Sequence, residues 1–184
     1  MKIYLASKSP RRRALLKQIH IDFKVINIDI DESVKKAEKP LDYVCRIATE
    51  KARAGKYLLK NNFPILSADT AVVLDNLVLG KAECKEDAID ILNKLSGRTH
   101  DVLTAVTIIN KKEMTKINTS KVTFRELSKD EISCYCNTGE PIGKAGGYAI
   151  QGKGANLVKK LEGSYSGVMG LPLEETYQLI SSYV

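Results

Sequence analysis

Apolar residues recur with a period near two in some segments of the chain, as in strands, and with a period near 3.6 in others, as in helices. The run 64–74 predicts a strand that Ala68-Asp69-Thr70 interrupts, and Asp75-Asn76 predicts a tight turn after it. The box Ser128-x-x-Glu131 predicts the start of a short helix. Further strands are predicted at 3–6, from Phe23, and at 77–79, 102–110, 114–123, 148–150 and 155–161, and further helices at 10–19, 41–59, 85–95 and 172–183.

The order of these elements predicts the fold class. Helices alternate with strands at both ends of the chain, whereas 102–110 and 114–123 form a hairpin in the middle. We therefore expect an α/β fold, or an α+β fold, with a mixed twisted sheet and flanking helices. No stretch has the composition of a linker, so residues 1–184 are predicted to form a single domain, which has room for two lobes.

Composition narrows the class of protein. Hydrophobic residues make up 43% of the chain, but no apolar run approaches the ~20 residues that cross a bilayer. The start MKIYLAS is typical of a strand and lacks the apolar core of a signal peptide, so we predict a cytoplasmic protein that does not bind membranes. Four cysteines and two histidines lack the spacing of a zinc site, which favours free thiols.

The net charge of +7 favours an anionic partner, which could be a nucleic acid, a phosphate compound or a membrane surface. A solvated lysine-rich surface is the alternative. No helix-turn-helix pattern, aromatic stacking platform or basic tail points to nucleic acid, so nucleic acid is not the expected partner.

The segment Ser9-Pro10-Arg11-Arg12-Arg13 predicts a helix start with three cations in its first turn. Cations there are disfavoured by about 0.3–1 kcal/mol each, because the helix dipole already places positive charge at this end. A bound polyphosphate would reverse the sign of that energy, and arginine binds phosphate bidentately. Successive helical residues point about 100° apart, so at most two of the three arginines can face one ligand. A solvated arginine face is the alternative.

Five other residues are candidates for chemistry, each with an ordinary structural alternative. Asp69 follows a buried apolar run, where a carboxylate needs a partner such as Mg²⁺; it could instead cap a strand end. Glu32 could be an exposed loop acid, and Lys51 and Lys81 could be solvated. Gln151 could bond a base edge or a loop backbone.

Eight motifs occur in order along nearly the whole chain. They are SKSPRR from Ser7, DE from Asp31, EKA from Glu50, ADT from Ala68, GK from Gly80, SGRTHDVLT from Ser96, GYAIQG from Gly147 and GLPL from Gly170. This set resembles the Maf family of nucleoside triphosphate pyrophosphatases. The resemblance implies a fold like that of inosine triphosphate pyrophosphatases, with two lobes around a cleft. It also implies a divalent cation cofactor (Mg²⁺ or Mn²⁺), a cytoplasmic location and a homodimer.

The resemblance further implies hydrolysis of dTTP and UTP to the monophosphate and pyrophosphate, since Arg12, Thr70 and Gln151 match the selective positions of the pyrimidine branch. In that reading Asp69 is the general base and Glu32 holds the metal, together with Asp69. The phosphates are bound by Ser7, Arg11, Lys51 and Lys81. The alternative is a regulatory protein that binds phosphate or nucleic acid without catalysis.

Overall fold

The computed structural model describes residues 2–59 and 62–182 and contains a seven-stranded mixed sheet with helices on both faces. The predicted α/β class with a mixed sheet is confirmed. The strands are β1 (Lys2–Ala6), β2 (Asp22–Ile26), β3 (Ile65–Leu74), β4 (Leu77–Leu79), β5 (Thr99–Ile109), β6 (Glu113–Phe124) and β7 (Val158–Glu162). The helices are α1 (Pro10–Gln18), α2 (Pro40–Leu59), α3 (Lys85–Leu95), α4 (Lys129–Cys136), α5 (Tyr165–Met169) and α6 (Leu173–Ser181), with a 3-10 helix at Lys153–Leu157.

The strands lie in the order β2-β1-β3-β5-β6-β7, and β4 pairs with the far end of β3. β1 runs parallel to β2 and β3, whereas the remaining pairs are antiparallel. The β3–β4 hairpin turns at Asp75-Asn76, where both residues adopt the left-handed conformation that such turns require. The predicted turn is therefore confirmed.

One edge of β3 has a gap in its pairing. β1 pairs with Ile65 and Leu66, and β4 pairs with Val72 to Leu74, so neither strand covers 67–71 on that edge. The prediction of an interrupted strand is wrong, because β3 is continuous and the interruption lies in its neighbours. Adjacent side chains of a strand point to opposite faces, and an uncovered edge lets both Asp69 and Thr70 line one cleft.

The core divides at the same point. On one face of β3, Leu66 and Ala68 pack with α1 and α6, whereas Val72 packs with α3 and α4. Thr70 lies between these two apolar clusters on that face, because it alternates with them along the strand. The opposite face packs against α2. The break between the clusters is where the cleft enters the molecule.

Near the carboxyl end, the predicted strand 148–150 is wrong, and the predicted strand 155–161 is confirmed only from Val158. The segment 148–150 is irregular and lies between two turns, the first of which contains Gly146 and Gly147 with positive φ angles (69° and 65°) that an extended strand does not adopt. The segment 155–161 begins as a 3-10 helix and becomes β7 only at Val158. The short helix α5 was not predicted, and the end of the last predicted helix, at 183, lies outside the described residues. Among the described helices, none has the length and apolar character needed to span a bilayer.

Candidate active site

A cleft of about 660 Å³ opens at the gap beside β3. Its walls come from the loop between β1 and α1, the loop after β2, α2, β3, α5 and the segment 140–151. All nine residues singled out from the sequence line this one cleft. They are Ser7, Arg11, Arg12, Glu32, Lys51, Asp69, Thr70, Lys81 and Gln151.

The first turn of α1 contributes two of its three arginines to the cleft. Ser9 caps the helix by accepting a hydrogen bond from the backbone N–H of Arg12 at 3.5 Å. Arg11 and Arg12 line the cleft, whereas Arg13 points away and donates to the Lys8 carbonyl at 2.9 Å. This division follows from the 100° spacing of helical residues.

Arg12 is fixed by three hydrogen bonds. Its Nε donates to the Gly170 carbonyl at 2.7 Å, Nη2 to Thr70 Oγ1 at 3.2 Å, and Nη1 to Ser7 Oγ at 3.3 Å. Burial lowers the pKa of Arg12, although Asp69 opposes that shift. The guanidinium is thus a rigid, charged element that joins the β1–α1 loop, β3 and the end of α5.

Arg11 is in a different electrostatic state. In the part of the chain that the structure describes, no ion pair or hydrogen bond holds its side chain. Burial lowers the pKa of Arg11, and Lys144, which also lines the cleft, has a pKa lowered by burial and by the charge of Arg11. The charge of Glu140 partly opposes both shifts, and a bound anion would stabilise the two cations further.

Four charged side chains form a continuous chain across the opposite wall. Lys51 Nζ, on α2, lies 2.9 Å from Asp69 Oδ1 and 2.7 Å from Glu32 Oε1, and Lys81 Nζ lies 2.6 Å from Glu32 Oε2. Burial raises the pKa of Glu32, but the two lysines outweigh it and lower the value to about 2. Glu32 is therefore not a solvated loop acid, and Asp69 does not cap a strand end, because it is buried in the middle of β3.

Asp69 keeps one carboxylate oxygen free for chemistry. Lys51 occupies Oδ1, and no side chain or amide within residues 2–59 and 62–182 donates to Oδ2. Because Asp69 lines the cleft, Oδ2 can accept a proton from a water molecule there.

Thr70 belongs to a buried polar contact that the sequence did not indicate. The hydroxyl of Thr104, on β5, lies 2.9 Å from Thr70 Oγ1 and 2.8 Å from the Gly167 carbonyl. Thr104 is fully buried, so these contacts hold Thr70 beside Arg12. The strand pairing of Thr70 with Thr104 would have been the signal, but register is not visible in one sequence.

Gln151 lies on a loop at the opposite side of the cleft and is exposed. No hydrogen bond from the described residues holds its amide, which leaves both its donor and its acceptor for a ligand. The loop is supported by Tyr148, whose hydroxyl lies 2.9 Å from His100 Nε2. Burial lowers the pKa of His100 to about 4, so this histidine is neutral at pH 7.

The carboxylates of the cleft fit a divalent cation only in part. Glu32 and Asp69 both contact the ammonium group of Lys51, so they converge on the position of one cation. Within the described ranges no cluster of three or more acidic, histidine or cysteine side chains could hold a metal alone. Mg²⁺ commonly uses one or two carboxylates together with substrate phosphates, and the pair fits that pattern.

Comparisons with known proteins show the family and the fold. A family model described as "Maf-like protein" matches residues 2–183. A protein of Alkalilimnicola ehrlichii named dTTP/UTP pyrophosphatase is 50% identical, covering 98% of this chain and 92% of its own length. One of Saccharophagus degradans with the same name is 46% identical, covering 98% of this chain and 88% of its own. A HAM1 protein from Coxiella burnetii shares the fold, with a TM-score of 0.56 at 16% identity over 99% of each chain.

Proposed function

The chain belongs to the family of Maf-like proteins, and from this premise we propose that it hydrolyses dTTP and UTP to the nucleoside monophosphate and pyrophosphate. The names of the relatives at 46–50% identity support this substrate class. The observation that carries the proposal is the arrangement of the cleft. Arg11 and Lys144, which no ion pair holds within the described residues, line the same cleft as Asp69, whose Oδ1 alone contacts Lys51.

The phosphate groups bind to the cationic part of the cleft. Arg11 offers a guanidinium that no ion pair or hydrogen bond holds within the described residues, and Lys81 is half exposed, so it can contact both Glu32 and a phosphate. Ser7 and Lys51 complete the set, with Ser7 beside the backbone N–H groups at the start of α1. Binding the triphosphate places its α-phosphorus near the carboxylates, and this positioning supplies a large part of the rate.

The chemical step requires a base for water. The water oxygen forms a bond to the α-phosphorus while the bond to the bridging oxygen of the β-phosphate breaks, and pyrophosphate leaves. The proton lost by the water goes to Oδ2 of Asp69, the general base. Lys51 holds the other oxygen of that carboxylate and so fixes its orientation.

Glu32 and Asp69 are the residues that would hold a divalent cation, Mg²⁺ or Mn²⁺, together with phosphate oxygens. When bound, such a cation neutralises the charge on the phosphates and on the leaving pyrophosphate. Lys51 contacts both carboxylates and Lys81 contacts Glu32, so these lysines compensate the acids in the free protein.

The residues that recognise the pyrimidine base are Arg12, Thr70 and Gln151. Arg12 and Thr70 contact each other at one end of the cleft, and Gln151 lines the same cleft from its loop. A site built on hydrogen bonds to a base can reject one that lacks the partner by about 10⁴-fold. We also propose a cytoplasmic location and a homodimer, both of which the family resemblance supports. Sedimentation of the purified protein would test the homodimer.

The test is pyrophosphate release from dTTP, UTP, CTP and GTP with Mg²⁺, run in ¹⁸O-labelled water. We expect release from dTTP and UTP above the other two, with the label in the monophosphate. Salt-dependent DNA binding is measured beside it. DNA binding without release from any nucleotide would overturn the enzyme proposal in favour of the regulatory alternative.

A further inference from the structure

The loop that carries Gln151 is tied to a carboxylate outside the set described above. Oε1 of Glu140 accepts hydrogen bonds from the Gly154 N–H at 2.9 Å and from the Tyr135 hydroxyl at 2.8 Å, and Oε2 accepts from the Lys153 N–H at 3.0 Å. The Tyr135 hydroxyl in turn accepts from the Ala149 N–H at 3.2 Å. Glu140 and Tyr135 therefore bond the backbone on both sides of Gln151.

The space around the loop matches these bonds. A Cβ at Gly154 would lie 2.8 Å from the Tyr135 hydroxyl and 2.8 Å from the Ala149 carbonyl, and a Cβ at Gly146 would lie 2.6 Å from Val72. The backbone can approach its anchors this closely only because these positions are glycines. The loop is thus held in one conformation from several directions.

The segment bearing Glu140 also connects Gln151 to the phosphate side of the cleft. The Gly143 N–H donates to the Ala82 carbonyl at 2.8 Å, and the Gly146 N–H donates to the Gly80 carbonyl at 3.3 Å. These bonds attach the segment to the backbone that flanks Lys81. The segment that follows Glu140 therefore links the backbone beside Lys81 to the loop that carries Gln151.

We propose that Glu140 is a positioning residue that, together with Tyr135, holds the loop 147–154 so that the Gln151 amide meets the pyrimidine base. The inference rests on the proposed function, because Gln151 reads a base only when a nucleotide occupies the cleft. Glu140 needs no contact with the substrate for this role. In these three hydrogen bonds the Glu140 carboxylate only accepts, from one hydroxyl and two backbone N–H groups.

The test compares Glu140→Gln with wild type. Glutamine has the same shape, but its NH₂ group must face a donor, so at least one of the three bonds is lost. We expect the KM for dTTP to rise about tenfold, the scale of one lost hydrogen bond to a charged group, with kcat changed less. Removal of the Glu140 charge, which acts on Arg11 and Lys144, affects the phosphates of dTTP and GTP alike, so the KM for dTTP is judged relative to the KM for GTP, and the preference for dTTP falls. Hydrogen exchange of the amides at 149, 153 and 154 becomes faster.

Two further variants separate positioning from general destabilisation. Tyr135→Phe keeps the ring and removes only the hydroxyl, and should lower the dTTP preference in the same direction. Glu131→Gln is the matched control. Glu131, on α4, also accepts a backbone N–H, that of Ser128 at 2.9 Å, but it does not line the cleft. We expect wild-type preference from Glu131→Gln.

Equilibrium binding of dTTP and GTP is measured for the same proteins, so that the two proposals fail separately. Wild-type protein that prefers dTTP in binding but releases no pyrophosphate would overturn the proposed function alone. Glu140→Gln with unchanged dTTP preference in binding would overturn the positioning role alone. A wild type that binds neither nucleotide would overturn both.

Discussion

Replacement of Lys51 by methionine isolates the charge that organises the cleft. Methionine is nearly as long as lysine but carries no charge, so the packing of α2 against the sheet is largely kept. Lys51 is only 8% exposed and Asp69 only 5% exposed. In Lys51→Met, Glu32 retains Lys81, whereas Asp69 loses the ion pair that the structure gives it.

The expected cost follows from the distance. At 2.9 Å and an effective dielectric constant of ~20, the Lys51–Asp69 attraction is about 6 kcal/mol before the loss of hydration is subtracted. Removing one partner of a buried pair typically costs about 3–5 kcal/mol, because the other charge remains buried. We expect the free energy of unfolding to fall by about 3 kcal/mol, since Asp69 can reach some water in the cleft.

Urea unfolding at pH 7 measures this change, with circular dichroism as the signal because the chain has no tryptophan. Arg53→Met is the matched control on the same helix. Arg53 pairs with Glu113 at 2.7 Å, but its side chain is 64% exposed, so its replacement should lower the free energy of unfolding far less. The double variant Lys51→Met/Asp69→Asn should recover part of the lost free energy of unfolding, because it no longer buries an unpaired carboxylate. If Lys51→Met lowers the free energy of unfolding no more than Arg53→Met does, the stabilising role of the buried Lys51–Asp69 pair is refuted.

Three other predictions concern separate parts of the molecule. The pKa of His100 is lowered to about 4, below its unfolded value near 6.5, so the free energy of unfolding should fall by up to about 3 kcal/mol as pH drops from 6.5 to 4. An acid titration that is equally steep in His100→Gln would contradict this. Lys144→Ala should raise the KM for dTTP about tenfold in steady-state kinetics, the scale of one lost charged contact; an unchanged KM removes Lys144 from the phosphate site. Gln151→Glu should weaken dTTP and UTP relative to guanine nucleotides, and an unaltered ranking in a substrate panel would exclude Gln151 from base recognition.

Local signals in the sequence predicted local structure well. Ser9 with Pro10 marked the start of α1, and the Ser128–Glu131 capping box occurs as predicted at α4. Both signals depend on atoms within one helical turn, so the residues that carry them are also the residues that decide the outcome. The cap of α3 is formed by Cys84, a residue type that the usual preferences do not include.

Features that depend on distant pairing were not predictable from the sequence. The segment Ala68-Asp69-Thr70 indicated a break in β3, but the break lies in the pairing of the strands beside it, whose registers are set by the whole sheet. Lys51 was one of many lysines until the fold placed it against Asp69. Glu140 was not a candidate in the sequence, because the backbone amides and the hydroxyl that bond it come together only in the fold.

The most direct test of the account is the turnover of dTTP by Asp69→Asn in the presence of Mg²⁺. Asparagine keeps the shape of the side chain but cannot take a proton from water, so kcat should fall about 10³-fold while dTTP still binds. Asp75→Asn, at the exposed β3–β4 turn, is the control and should retain wild-type kcat. A kcat for Asp69→Asn within tenfold of wild type would contradict the claim that this carboxylate activates the water.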